Sequence, residues 1–172
     1  MASLAINGGT VASAPPGWVQ IASLTTVSNP TAYAYYHVAV PSEPASYAWT
    51  LSSSAVSSGG IARYSGVSNS APLDTAVSSV SSAAAASSLT VPAVTITRPG
   101  AMLIGATAIN SSNATVLITG PAGTTQRWDL GGKRQEFDDS TQTAAGSSGT
   151  RTWTFSAARE GVAWLAALRP LP

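Results

Sequence analysis

Ala32-Tyr33-Ala34-Tyr35-Tyr36-His37-Val38-Ala39-Val40 is the stretch that decides the fold. With a period of two, residues 33, 35 and 37 fall on one side and residues 36, 38 and 40 on the other, in a run rich in aromatic and β-branched types. A strand facing water would alternate apolar with polar residues, so this run predicts a strand engaged on both faces. Working outward, further short runs occur at 18–23, 47–51, 60–64, 89–97, 101–109, 115–119, 126–130, 150–155 and 161–168. Turn-forming clusters separate them, among them Ser28-Asn29-Pro30, Ser58-Gly59-Gly60, Arg98-Pro99-Gly100, Gly120-Pro121-Ala122-Gly123 and Gly131-Gly132. About ten short strands at this spacing predict an all-β fold, a single-domain antiparallel β-sandwich of jelly-roll type.

The run Gly161-Val162-Ala163-Trp164-Leu165-Ala166-Ala167-Leu168 is apolar almost throughout and is followed by Arg169-Pro170-Leu171-Pro172. It predicts a central strand buried on both faces, ending in an extended tail. Residues 78–88, which include Ala83-Ala84-Ala85-Ala86, favour helix through alanine but carry flanking serines and are too short to be a helix alone. They are expected to form a surface loop or one helical turn. Residues 1–14 are small, apolar and uncharged, and are expected to be an N-terminal arm in front of a sandwich domain spanning 15–172.

The 172 residues are 44% hydrophobic and only 9% charged, enough chain for one domain with a proper core. Ala, Ser and Thr, at 31, 26 and 19 copies, make up nearly half of it. With no cysteine, thiol catalysis, disulfide frameworks and thiolate metal sites are excluded. A formal net charge of +1 leaves no electrostatic footprint for a nucleic-acid backbone or an anionic membrane, so neither is an expected partner. No Lys or Arg precedes Arg63, so the charged start of an export signal is missing, and no apolar run approaches the ~20 residues of a spanning helix. Synthesis in the cytoplasm is expected. A low-charge Ser/Thr/Ala surface, by contrast, suits an extracellular or particle protein.

The order of landmarks carries a resemblance. Pro15-Pro16-Gly17-Trp18 is followed by Tyr33-Ala34-Tyr35-Tyr36-His37-Val38-Ala39 and by Glu43-Pro44-Ala45-Ser46-Tyr47-Ala48-Trp49-Thr50-Leu51. Next come Gly59-Gly60-Ile61-Ala62-Arg63-Tyr64-Ser65-Gly66-Val67 and Pro72-Leu73-Asp74. Gln126-Arg127-Trp128-Asp129, then Ala144-Ala145-Gly146-Ser147-Ser148-Gly149-Thr150-Arg151 and Trp164-Leu165-Ala166-Ala167-Leu168-Arg169-Pro170 continue the pattern. Over residues 15–170 the chain resembles a jelly-roll module recurrent in actinobacterial surface proteins and in the virion proteins of their phages, such as capsid decoration, head-fibre and minor tail proteins. The matching residues are structural, and no catalytic motif belongs to them.

Within this pattern Trp49 and Trp164 are expected anchors of the core, and losing a buried Trp costs about 3–5 kcal/mol. Gly60 and Gly66 mark bends where a positive φ is expected. Glu43-Pro44 fixes an extended entry whose carboxylate can accept hydrogen bonds from a turn.

Signals for chemistry are few. His37 is the only histidine, which excludes a multi-histidine metal site within one chain and leaves a sheet face or interface as its expected place. No Gly-x-Ser-x-Gly elbow, phosphate-binding loop or dinucleotide fingerprint occurs. The one charged cluster holds Arg127, Asp129, Lys133, Arg134, Glu136, Asp138 and Asp139. It reads as a solvated loop with local ion pairs or as a contact for a partner. A calcium loop through Asp138 and Asp139, or a carboxylate pair for glycoside hydrolysis, is disfavoured by the neighbouring cations. Trp18, Trp128 and Trp153 are candidates for a sugar-stacking platform, against the core positions that tryptophan usually takes.

Two functions follow as expectations. The first is a non-enzymatic phage structural protein, a capsid decoration protein made in the host cytoplasm and residing in the virion. Its partners would be copies of itself, with a trimer as the expected homo-oligomer, and the major capsid or another virion protein. The second is a carbohydrate-binding or receptor-binding module of a tail or cell-surface protein, with a glycan as ligand. Neither requires a cofactor or a metal.

Overall fold

The computed structural model describes residues 1–111, 115–130 and 134–172. Those residues form sixteen strands and no helix, and every strand pairing is antiparallel. The chain is thus all-β, with more and shorter strands than the hydrophobic runs predict.

A five-stranded sheet is the middle layer. Its centre is β10 (Ala101–Ile109), flanked by β13 (Gln135–Gln142) and β16 (Gly161–Leu168), with β12 (Thr125–Leu130) and β7 (Ser78–Ser81) at the edges. Every residue of β16 is buried, as its unbroken apolar run predicts. Trp164, Ala166 and Leu168 pack toward one side, in a cluster with Ile104, Ala106, Phe137 and Ala34. Ala163, Leu165 and Ala167 pack toward the other, with Leu103, Leu89, Val91, Trp153 and Phe155. A sheet covered on both faces must be apolar on both faces, which explains why no period-two polarity marks this strand.

The first covering layer is a four-stranded sheet in the order β3 (Val19–Thr25), β4 (Thr31–Tyr36), β1 (Ala2–Asn7), β6 (Val56–Ile61). The second covering layer comprises β11 (Ile118–Thr119), β15 (Arg151–Arg159) and β8 (Ala86–Val91). Two short pairs complete the fold, β2 (Val11–Ser13) with β5 (Thr50–Leu51) and β9 (Thr95–Ile96) with β14 (Gly146–Ser147).

Four expectations are corrected here. Residues 1–14 are not an arm: β1 pairs with β4 and β6, and Ala2, Ala5 and Ile6 are at most 1% exposed. The absence of charge that suggested a free segment is what a strand enclosed on both edges requires. Residues 78–88 contain β7 and the start of β8 rather than a loop or helical turn, because the ladders to β16 and β15 override local alanine propensity. The 127–139 cluster is no solvated loop in its described part, since Arg127 and Asp129 lie in β12, Glu136, Asp138 and Asp139 lie in β13, and these three acids are at most 2% exposed. Gly60 does not have a positive φ, unlike Gly66, where φ is +73°.

Gly60 is needed for a different reason. A Cβ there would stand 2.7 Å from the Trp128 ring, which also stacks on Phe137 at 4.3 Å between centroids. The missing side chain lets β6 lie against β12.

Candidate functional site

β4 ends at Tyr36, and the chain then turns away from the sheet through residues 37–47. Within this excursion the Glu43 carboxylate gathers the backbone around itself. The Val40 N–H donates to Oε1 (2.6 Å), the Tyr47 hydroxyl donates to Oε2, and His37 Nε2 lies 3.1 Å from Oε1. His37 Nδ1 faces the Gly17 carbonyl at 2.9 Å, so both ring nitrogens meet acceptors and the imidazole bridges the 15–18 turn to the 37–47 segment. Gly17 has φ of +80°, and a Cβ there would stand 2.8 Å from the imidazole. Only glycine gives both that backbone and that close approach.

Aromatic rings surround this anchor. Trp18 stacks on His37 at 5.4 Å and meets the edges of Tyr47 and Trp49, each at 5.1 Å. Trp49 in turn leans on Tyr35 at 6.0 Å. Both Trp18 and Trp49 are half-buried, so Trp49 braces this wall rather than filling the middle of a core. Aromatic pairs of this kind contribute about 0.5–1.5 kcal/mol each beyond their burial.

The wall borders a cleft of about 360 Å³. Its other side is the 61–72 segment, which contributes Arg63, Tyr64 and Asn69. That segment is held in place by the end of the chain: Ser68 N–H donates to the Arg169 carbonyl, Leu171 N–H to Gly66, and Arg169 N–H to Pro72. Gly66, in its left-handed conformation, makes the bend within it. A second hollow of about 380 Å³, lined by Pro15, Pro16, Val40, Pro44 and Ala48, lies across His37, Glu43 and Tyr47, which border both. Clefts of this volume with aromatic walls and a few polar groups are the usual form of small-ligand sites.

Comparison with known proteins returned no matching family model, no matching curated protein and no matching solved structure. The cleft is therefore read from its own geometry.

Of the three tryptophans predicted as a sugar platform, only Trp18 borders the cleft. Trp153 is 1% exposed and donates its indole N–H to Asp138 Oδ2 (2.7 Å), and Trp128 is held between Gly60 and Phe137, so neither presents a free face. Trp164 is buried in the middle layer, as an anchor should be.

The charged cluster divides by strand geometry. Gln135, Phe137 and Asp139 alternate with Glu136 and Asp138 along β13, and the two sets point into different layers. Toward the four-stranded sheet, Gln135 donates to Ser3 Oγ (2.7 Å), and Asp139 accepts from Tyr64 (2.7 Å) and from Arg127 through Nε (2.6 Å) and Nη2 (2.8 Å). On the opposite face Glu136 accepts from Gln126 Nε2 (2.6 Å) and Asp138 from Trp153, with Gly120 against both carboxyls. Burial, and then the neighbouring Asp138 charge, push the Glu136 carboxyl up to about 8, and burial raises Asp138 as well. Arg134, 7% exposed, pairs with Asp129 at 3.0 Å. Lys133 lies outside the described residues. Arg127 and Asp129 are thus the members at the surface, and the buried acids are internal ties rather than a contact surface.

Sequence reasoning missed the partnership of His37, Glu43 and Tyr47 and the place of Arg63 in the cleft lining. The available signal was a single histidine followed at six and ten residues by Glu and Tyr across Pro41 and Pro44, a spacing that turns a strand end back on itself.

Proposed function

We propose that this chain is a non-enzymatic recognition module of an exposed surface, cell or virion, and that its ligand is a saccharide held in the cleft between the 37–47 and 61–72 segments. One observation carries this reading: a half-exposed tryptophan and tyrosine wall, fixed in position by a hydrogen-bonded carboxylate, beside a cleft large enough for a sugar ring. Flat rings cover the apolar faces of pyranoses, and a rigid wall binds without an ordering cost. The jelly-roll assignment of the sandwich belongs to the same reading, as does the resemblance to actinobacterial surface and phage proteins.

Titration calorimetry against a panel of oligosaccharides and purified bacterial wall polymers tests it. Binding is expected for the native chain, with at least a tenfold loss in Trp18→Ala and none in Leu117→Ala, which alters an exposed residue outside the cleft. Binding that survives Trp18→Ala would place the ligand elsewhere and sink the reading.

A second reading, the capsid decoration protein, draws on the sheet edges. β3 and β6 end the four-stranded sheet, and Val19, Val56 and Ile61 on them are 45–54% exposed. Apolar residues on open edges favour association with further copies or with a shell. Light scattering distinguishes the readings: a stable trimer favours assembly, a monomer with glycan affinity the module.

A further inference from the structure

The charges of the cleft specify its ligand further, an inference that rests on the saccharide reading above. A carboxylate offers about four acceptor positions. In Glu43, Val40 N–H and Tyr47 O–H occupy two of them and the His37 ring edge lies 3.1 Å from Oε1, so little acceptor capacity is left for sugar hydroxyls. Glu43 is also the only acidic residue among those lining the cleft. Arg63 is the converse. Arg127, Arg134 and Arg169 each lie against a carboxylate, whereas Arg63 is exposed, lines the cleft, and has no carboxylate within 4 Å among the described residues. Its five N–H donors, a planar fork suited to carboxylate and phosphate oxygens, make no hydrogen bond among the described residues and line the cleft on the side across from the aromatic wall.

We propose that the cleft takes an anionic saccharide, its pyranose ring against Trp18 and Tyr47 and its carboxylate or phosphate oxygens in the fork of Arg63. A uronic acid and a phosphate-bearing wall polymer share this chemistry.

The experiment measures binding of three probes to the intact chain: a trigalacturonate, the neutral galactotriose of the same linkage, and a glucosylated poly(glycerol phosphate). At least one anionic probe is expected to bind tenfold or more tightly than the neutral one, and which one does so identifies the source of the charge. Arg63→Gln is expected to remove that preference without altering the circular dichroism spectrum. Arg98→Gln, an exposed cation outside the cleft, is expected to leave it intact. Equal affinity for neutral and anionic probes overturns the anionic ligand, and a preference that persists in Arg63→Gln overturns the Arg63 fork as its anchor; either result leaves the saccharide reading standing. Failure of the native chain to bind any probe or any member of the wider panel overturns both.

Discussion

His37 Nε2 and Glu43 Oε1 stand 3.1 Å apart, and because His37 Nδ1 also faces the Gly17 carbonyl, the ring ties the 37–47 segment to a turn twenty residues earlier in the chain. The bond is local in sequence and tertiary in effect. Glu43→Ala removes it together with the acceptors for Val40 and Tyr47. At the 30% exposure of this carboxylate, solvent takes over part of each bond, so the expected loss is about 1–2 kcal/mol, or roughly 2–8 °C in Tm by calorimetry. Glu43→Gln, which keeps one carbonyl oxygen, should lie between. An unchanged Tm in Glu43→Ala would mean the loop is held by its aromatic packing alone.

Stability should fall as pH rises toward 8. The Glu136 carboxyl, pushed up to about 8 by burial and by Asp138, binds its proton more tightly folded than unfolded, where about 4.3 is normal. Its contribution is complete below about pH 4 and is lost as pH passes through about 8, at no more than about 1.4 kcal/mol per pH unit for one proton. Urea denaturation at pH 5 to 9 of the native chain and Glu136→Gln, compared by difference, cancels the carboxylates that do not interact with Glu136 and isolates the Glu136–Asp138 pair. The variant should show the flatter profile; parallel profiles would show that Glu136 keeps the same proton in both states.

Gly60→Ala should be costly although alanine is the smallest change available. Its methyl would stand 2.7 Å from a Trp128 ring that is backed on its other face by Phe137. A cost of about 1–3 kcal/mol is expected, together with altered tryptophan fluorescence. A silent substitution would mean that β6 and β12 separate freely.

Asp74 ties three parts of the chain and is 5% exposed. It accepts from Thr97 N–H and Oγ1, both at 2.5 Å, and from Arg169 Nε at 3.3 Å. Asp74→Ala takes the carboxylate from Thr97 and Arg169, leaving Arg169 only its 3.3 Å bond from Nη2 to the main-chain carbonyl of residue 74, at an expected cost of about 3 kcal/mol in chemical denaturation. Because Arg169 helps seat the 61–72 segment, saccharide affinity should fall with it. Full affinity in a destabilised Asp74→Ala would separate the cleft from this tie.

What the sequence makes legible is what one face of one element decides. The apolar run of β16 and the first part of the aromatic run state their burial openly; β16 lies where its pattern predicts, whereas the predicted 32–40 strand ends at Tyr36 and its last four residues leave the sheet. β13 reads Gln135-Glu136-Phe137-Asp138-Asp139 and looks like a solvated segment, because its burial depends on hydrogen-bond partners far away in sequence: Ser3 as acceptor, Tyr64 and Trp153 as donors. β1 is hidden in the opposite way, being too small and featureless to stand out before its neighbours β4 and β6 are placed. In the site, Trp18 was visible as a ring but not as part of a wall. The bonds that make it one run through a backbone carbonyl at Gly17 and a turn at Val40, which residue type does not reveal.

The central position of β16 has a consequence for synthesis. β1, β3, β4 and β6 lie within the first 61 residues and can pair while the rest is being made. β10 waits some sixty residues for β16, and until residue 168 has left the ribosome both covering layers lack the strand they share. A nascent chain stopped at residue 160 would therefore be half-folded and sticky, and eight more residues would close two interfaces in a single step.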